Sequence, residues 1–465
     1  MINVTEALRE LPDFHKFCSV EELSALVETV RRESKEAEVR IAGTSAGGLP
    51  IHHVRIGRGR VKALFVGWPH PNEPIGGLTV FSLLSLLRQR NRQLLDADVE
   101  WHIVPCVDPD GAILNEGWTQ HPFTIGNFMR NCYRQEPCDQ VERSFPIHHK
   151  RAHFDHPIKE AQLLQELLAT IRPDFFYSLH NARLGAVAFY LSRPIGESYY
   201  QQLHELAKTY GVPLHPGGSP LLGGHAQFAR GVWELFTAQK YYDYLETVTD
   251  DPEKGLHEAG ACSWEYLAQI KSSALTFVQE LPYLQHPGSV STKETSESLR
   301  RFMLRSDVDN KFLITMILEE WEKVKNDVDS TSPFYKKIMH SIVAVKEKLV
   351  EGLPSWEART SDLLFNPSYS RTMTEADLFS DCMTRFYVLC NSHEIVRLLK
   401  ASKQTPAVVQ ATRRLESMYD EALAEIARHV DFEAFRLIEH NSLARMHLGG
   451  GLVVLNSILD AHAPS

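Results

Sequence analysis

Cysteine is sparse and irregular in this 465-residue chain: seven residues, at positions 18, 106, 132, 138, 262, 382 and 390. An odd, scattered set excludes a disulfide-stapled scaffold and suits a reducing compartment, so a cytoplasmic location is expected. Long apolar runs are also missing. The stretch from Val80 to Leu87 is interrupted by Ser and closed by Arg88, far short of the roughly 20 residues that cross a bilayer, so no membrane span is expected. The opening MINVTEALRELPDFHKF carries charges where a signal peptide needs its apolar run, and no export signal is visible. Positive charge is not in excess: 49 Lys plus Arg against 59 Asp plus Glu leave −10, which offers no footprint for a nucleic-acid backbone. Repeats of fixed period are absent, which takes away the main support for a solenoid.

The distribution of glycine divides the chain. Residues 289–465 hold only four of the 26 glycines, three of them the run Gly449 to Gly451. Few turns imply long helices, and apolar residues recur at helical spacing through Phe302 to Val324, Phe334 to Leu349, Ala376 to Leu399, Val408 to Ala427 and Phe432 to Leu448. The preceding part alternates. Ser19 with Glu22 forms a capping box ahead of Leu23, Leu26, Val27 and Val30, which predicts an opening helix. Strand-like runs follow at Glu38 to Ala42, Ile51 to Ile56, Val61 to Val66, Val99 to Val107, Phe175 to His180, Val187 to Leu191 and Ala274 to Glu280. Helical patterns at Ile75 to Leu95, Lys159 to Ile171 and Glu197 to Tyr210 separate them. The expected fold is α/β, a mixed β-sheet with helices on both faces, plus an all-α C-terminal domain. The expected divisions are a helical segment 1–37 packed on the α/β domain, the α/β domain 38–288, and a helical domain 289–465, which would cover a cleft or mediate homo-oligomerisation.

Chemistry concentrates at the strand ends. Val66 runs into Gly67-Trp68-Pro69-His70-Pro71-Asn72-Glu73-Pro74-Ile75-Gly76-Gly77, which sets His70 and Glu73 three residues apart in a loop past a buried strand. Ligands in α/β folds collect there. An imidazole and a carboxylate at this spacing can share a Zn²⁺, which in catalytic sites takes three protein ligands and one water. His180 ends another strand and qualifies as the third; Asp108-Pro109-Asp110-Gly111 and Glu280 follow two more. The histidines at 148, 149, 153 and 156 read as solvated surface.

With these residues in place the chain resembles the zinc carboxypeptidase family of metallopeptidases, over roughly residues 38–285. HPNEPIGG resembles its first metal motif, DPDG its NPDG turn, YSLHN the segment with the second metal histidine, Arg130-Asn131-Cys132-Tyr133-Arg134 its arginine segment, Val141-Glu142-Arg143-Ser144-Phe145-Pro146 its LNRNFP string, and ALTFVQELP the segment ending in its catalytic glutamate. The resemblance implies one Zn²⁺ per chain on His70, Glu73 and His180, Glu280 as general base and then acid, and Arg130 (or Arg134) stabilising the oxyanion. It implies that Arg143 grips a substrate carboxylate. Glu265 competes with Glu280 as base, and otherwise lines the specificity pocket or caps a helix.

Two departures from the family stand out. Its Asn-Arg pair is written here as Glu142-Arg143, and Glu142 either points into the pocket to receive a substrate ammonium or guanidinium, or turns away. The family's mobile tyrosine has no clear counterpart; His257 is a substitute donor, with Tyr241, Tyr242 and Tyr244 as further candidates. The leading expectation is zinc-dependent hydrolysis of an amide bond in a small peptide or peptide-like substrate, releasing a C-terminal residue. An N-acyl amino acid deacylase resembling succinylglutamate desuccinylase and aspartoacylase is the alternative, and a non-catalytic peptide-binding module is the third reading.

Overall fold

The strand Val61–Gly67 is buried at every position but Lys62, as a strand covered on both faces must be. It sits inside a nine-stranded mixed sheet in a computed structural model that describes residues 1–215, 225–247, 250–256, 259–350 and 363–462. The strands of this sheet are β1 (Ala37–Thr44), β2 (Pro50–Ile56), β3 (Val61–Gly67), β4 (Val99–Val104), β5 (Phe175–Leu179), β6 (Ala188–Leu191), β7 (Gln227–Ala229), β8 (Val232–Glu234) and β9 (Leu275–Glu280). Their spatial order is β1-β2-β4-β3-β5-β9-β6-β8-β7. The four neighbours β4, β3, β5 and β9 are parallel, so the loops that follow them open on one edge. The pairs β1–β2 and β2–β4 on one side, and β9–β6 on the other, are antiparallel.

Side chains alternate along these strands and serve two layers. Leu64, Val66, Phe176 and Val278 share a core with Leu164 and Leu168 of helix Lys159–Ile171 and with Trp264 and Leu267 of helix Ser263–Ile270. Phe65, Tyr177 and Phe277 point the other way and meet the C-terminal helix His440–Ala461. The glycine run makes that meeting possible. A Cβ on Gly451 would stand 2.6 Å from the Tyr177 ring, and one on Gly450 would stand 2.2 Å from Gln279 Oε1. Gly450 and Gly451 thus lower the helix onto the aromatic face of the sheet, while a Cβ on Gly449 would meet Leu8 and Leu206. By length and composition this helix would cross a bilayer, but 83% of its most apolar window is buried, the signature of a core helix.

The opening helix Val20–Glu33 has the expected capping box, with Ser19 Oγ accepting from Glu22 N–H and Glu22 accepting from Ser19 N–H. The division of the chain differs from expectation in two places. One compact unit contains 1–122, 137–284 and 437–465, and the other contains 123–136 and 285–436. The helical region therefore does not run from 289 to the end: residues 437–465 rejoin the sheet because their apolar helix covers it. Helix formation also starts later than the Phe432 to Leu448 pattern suggests, since a 3-10 turn and a two-residue strand intervene before His440. Conversely, 123–136 joins the second unit, where Phe128 of helix Ile125–Asn131 stacks on Phe386 with centroids 6.1 Å apart.

The second unit holds the helices Leu299–Val324, Pro333–Val350, Glu375–Ser392, Glu394–Ala401 and Pro406–Ala427. The helix predicted over Ala376 to Leu399 is broken at His393. Within this unit Lys337 and Glu394 form a buried ion pair at 2.5 Å, and the Arg397 guanidinium lies 4.3 Å from the centre of the Phe334 ring.

Because the sheet and the C-terminal helix touch at glycine, Gly451→Val is expected to overpack the interface and cost about 1–3 kcal/mol. Denaturant unfolding checks this: the midpoint should fall with the slope unchanged.

Candidate metal centre

The loop after β3 is shaped by close approach. Trp68 turns at a φ of 51°, and a Cβ on Gly77 would stand 2.3 Å from its ring. Helix Ile75–Arg88 can therefore begin against Trp68. Asn181, directly after His180, accepts from the Ile75 N–H at 3.0 Å and turns its own N–H to Glu73 Oε2 at 3.3 Å. The ends of β3 and β5 are tied together by these contacts.

Their product is a compact donor set. Glu73 Oε1 lies 2.9 Å from His70 Nδ1, and Glu73 Oε2 lies 3.0 Å from His180 Nδ1. All three residues are buried, at 7%, 2% and 3% exposure for His70, Glu73 and His180. Burial alone would raise the Glu73 carboxyl, but the charges of His70 and then His180 hold it well below the usual carboxylate range. His180 is pushed up to about 10: burial opposes the shift, and Glu73 leads the groups that cause it. A carboxylate this deep needs positive charge beside it. The three residues offer ligand atoms within 4.8 Å of one another, the one such group of three or more among the described residues. Two imidazole nitrogens and one carboxylate oxygen fit Zn²⁺ with a position left for water.

Residues 23–218 match the zinc carboxypeptidase family model. The match covers both metal motifs and supports a metallopeptidase-type hydrolase. Similar solved structures include carboxypeptidase A from Helicoverpa armigera, at 15% identity over 60% of this chain and 69% of that chain, with a TM-score of 0.36. Bovine thrombin-activatable fibrinolysis inhibitor in complex with tick carboxypeptidase inhibitor is similar at 13% identity over 57% and 86%, with a TM-score of 0.36. A metallo-carboxypeptidase from Burkholderia cenocepacia is similar at 17% identity over 57% and 60%, with a TM-score of 0.32. No curated protein matches the chain.

The other residues of the carboxypeptidase motifs fall in different places. Glu280 closes β9, partly exposed, and its charge is felt at His180. Arg143 lies over the Phe236 ring at 5.6 Å and donates from Nη2 to the Leu256 carbonyl at 3.3 Å; its Nε is buried without a partner among the described residues. Arg130 belongs to the second unit, where its guanidinium pairs with Asp420. His257 lies outside the described residues. Glu142 does not face solvent: it is 1% exposed, and Oε1 sits 3.9 Å from His180 Nε2. Glu265 caps, accepting from the N–H groups of Cys262 and Ala238 at 2.9 and 3.0 Å. Asp108 likewise caps the turn after β4, accepting from Gly111 N–H at 2.9 Å.

One contributor escaped the sequence reading. His447, fully buried on the C-terminal helix, has Nε2 2.8 Å from the His180 carbonyl oxygen and Nδ1 2.7 Å from Thr79 Oγ1. A carbonyl can only accept, so Nε2 carries the proton and Nδ1 accepts from the Thr79 hydroxyl. Burial pushes its pKa down to about 4, which keeps the ring neutral for this work. His447 thereby bridges the helix that follows Glu73 to the backbone of His180. Only the glycine run beside it signalled that this segment approaches the sheet. His447→Leu should leave the His180 carbonyl without its donor and destabilise the metal-free protein by about 1–3 kcal/mol in denaturant unfolding.

Proposed function

We propose that the chain is a zinc-dependent amide hydrolase that releases a C-terminal residue from a short peptide or peptide-like substrate. The observation that carries this reading is the buried His70-Glu73-His180 donor set at the common edge of β3 and β5. These three residues would hold Zn²⁺, which supplies Lewis acidity and brings the pKa of a bound water towards neutrality. Glu280, at the end of β9 on the same edge, takes the proton from the attacking water on its carboxylate and delivers it to the nitrogen of the leaving amine. Arg143 receives the terminal carboxylate through the planar fork of its guanidinium. The aromatic ring of Phe236 orients that guanidinium from one face.

A deacylase is the second reading, favoured by a carboxylate at Glu142 and by the missing counterpart of the family's mobile tyrosine. The Glu142 oxygens are engaged with Ser178 and the Ser263 N–H, which removes the first of these supports.

Metal analysis of the purified protein, together with turnover of short peptides and N-acyl amino acids, tests the proposal. One zinc per chain is expected, lost in Glu73→Ala. Glu280→Gln should keep the zinc while turnover falls by about 10²–10⁴-fold. Absence of both metal and turnover, even after zinc is added, would leave only the non-catalytic binding module.

A further inference from the structure

Glu142 lies in the 3-10 turn Val141–Arg143, where the resemblance places an asparagine. A carboxylate at 1% exposure needs an account of its charge. Its neighbour Arg143 does not supply one, since that guanidinium goes to the Leu256 carbonyl and the Phe236 ring. Instead Oε2 accepts from the Ser263 N–H at 2.8 Å, at the first turn of helix Ser263–Ile270, where a helix favours an anion. Oε1 accepts from the Ser178 hydroxyl. Ser178 and His180 are two residues apart where β5 ends, so their side chains lie on one side of the strand. Accordingly Ser178 Oγ is 3.2 Å from His180 Nε2.

Proton placement gives these contacts one direction. His180 Nδ1 faces Glu73 and must offer a lone pair to bind a cation, which leaves the ring proton on Nε2. The Nε2–H then donates to Ser178 Oγ, and the serine has a single O–H, which goes to Glu142. The chain is His180 Nε2–H to Ser178 Oγ–H to Glu142 Oε1. We propose that Glu142, acting through Ser178, is a positioning residue that fixes the tautomer and orientation of the metal ligand His180, and is not a substrate-binding carboxylate. Carboxylate partners behind a ligating histidine raise its basicity and lock its ring. Here a serine is interposed, and the residue that would flank Arg143 in the substrate pocket is turned to the metal side. Recognition of a substrate carboxylate is then left to Arg143.

The inference rests on the reading of His70, Glu73 and His180 as a zinc site, and zinc affinity is the readout that separates the two. Chelator competition on the full chain compares wild type, Glu142→Gln, Ser178→Ala and the double variant, with circular dichroism of each metal-free form as the folding control. Each single variant is expected to bind zinc about 10–100-fold more weakly. The double variant should be about as weak as the weaker single, because both act through one relay. If Glu142→Gln does not fold, Ser178→Ala, which removes one hydroxyl, carries the same expectation alone. Wild-type affinity in the variants, with a changed KM or a changed preference between cationic and neutral peptides, would overturn the relay and return Glu142 to the substrate. Failure of the wild type itself to bind zinc would overturn the relay together with the metal centre.

Discussion

A single carboxylate buried between two imidazoles sets the terms for the rest of the first unit. Glu73 is 2% exposed and lies within 3.0 Å of both His70 Nδ1 and His180 Nδ1. An anion in that position is costly unless positive charge and hydrogen bonds surround it. The structure supplies a hydrogen bond from the Asn181 N–H and sets the Nδ1 atoms of both rings against the carboxylate, where the donor set calls for a cation. Everything that fixes His70, Glu73 and His180 relative to one another acts on that balance, including groups remote in sequence.

The sheet is the first of these. Parallel pairing of β3 with β5 carries Val66 alongside Ser178 and Gly67 alongside Leu179, so the HxxE loop and His180 emerge side by side. Parallel pairing of β5 with β9 brings Glu280 to the same edge. The C-terminal helix is the second. It reaches Phe65, Tyr177 and Phe277 through Gly450 and Gly451, and places His447 between Thr79 and the His180 carbonyl. A segment more than 250 residues downstream of His180 is thus part of the centre's scaffold. The third support is Glu142, which closes on the Nε2 edge of His180 through Ser178.

Much of this was legible in the sequence, and the parts that were not share a physical cause. A buried run such as Val61–Gly67 announces a central strand because nearly every residue is apolar. The HPNEPIGG loop and the His180 strand end announce the donor set because spacing within each motif is local. Capping boxes were readable for the same reason, as at Ser19 and Glu22. The direction of Glu142 was not readable: whether a carboxylate faces a pocket or a histidine depends on Ser178 and Ser263, which lie on other elements. His447 gave no signal of its own, since its partners belong to segments far along the chain. The return of residues 437–465 to the sheet unit was masked by helical periodicity, which reports a buried face and says nothing about what covers it.

X-ray absorption at the zinc edge of the zinc-loaded protein tests the central claim most directly, because it counts ligands by type. The account predicts two imidazole nitrogens and one carboxylate oxygen at about 2.0–2.2 Å with a further light atom from water, and no sulfur. A sulfur shell near 2.3 Å, or a zinc with fewer than two imidazoles, would place the metal elsewhere and contradict the role assigned to Glu73.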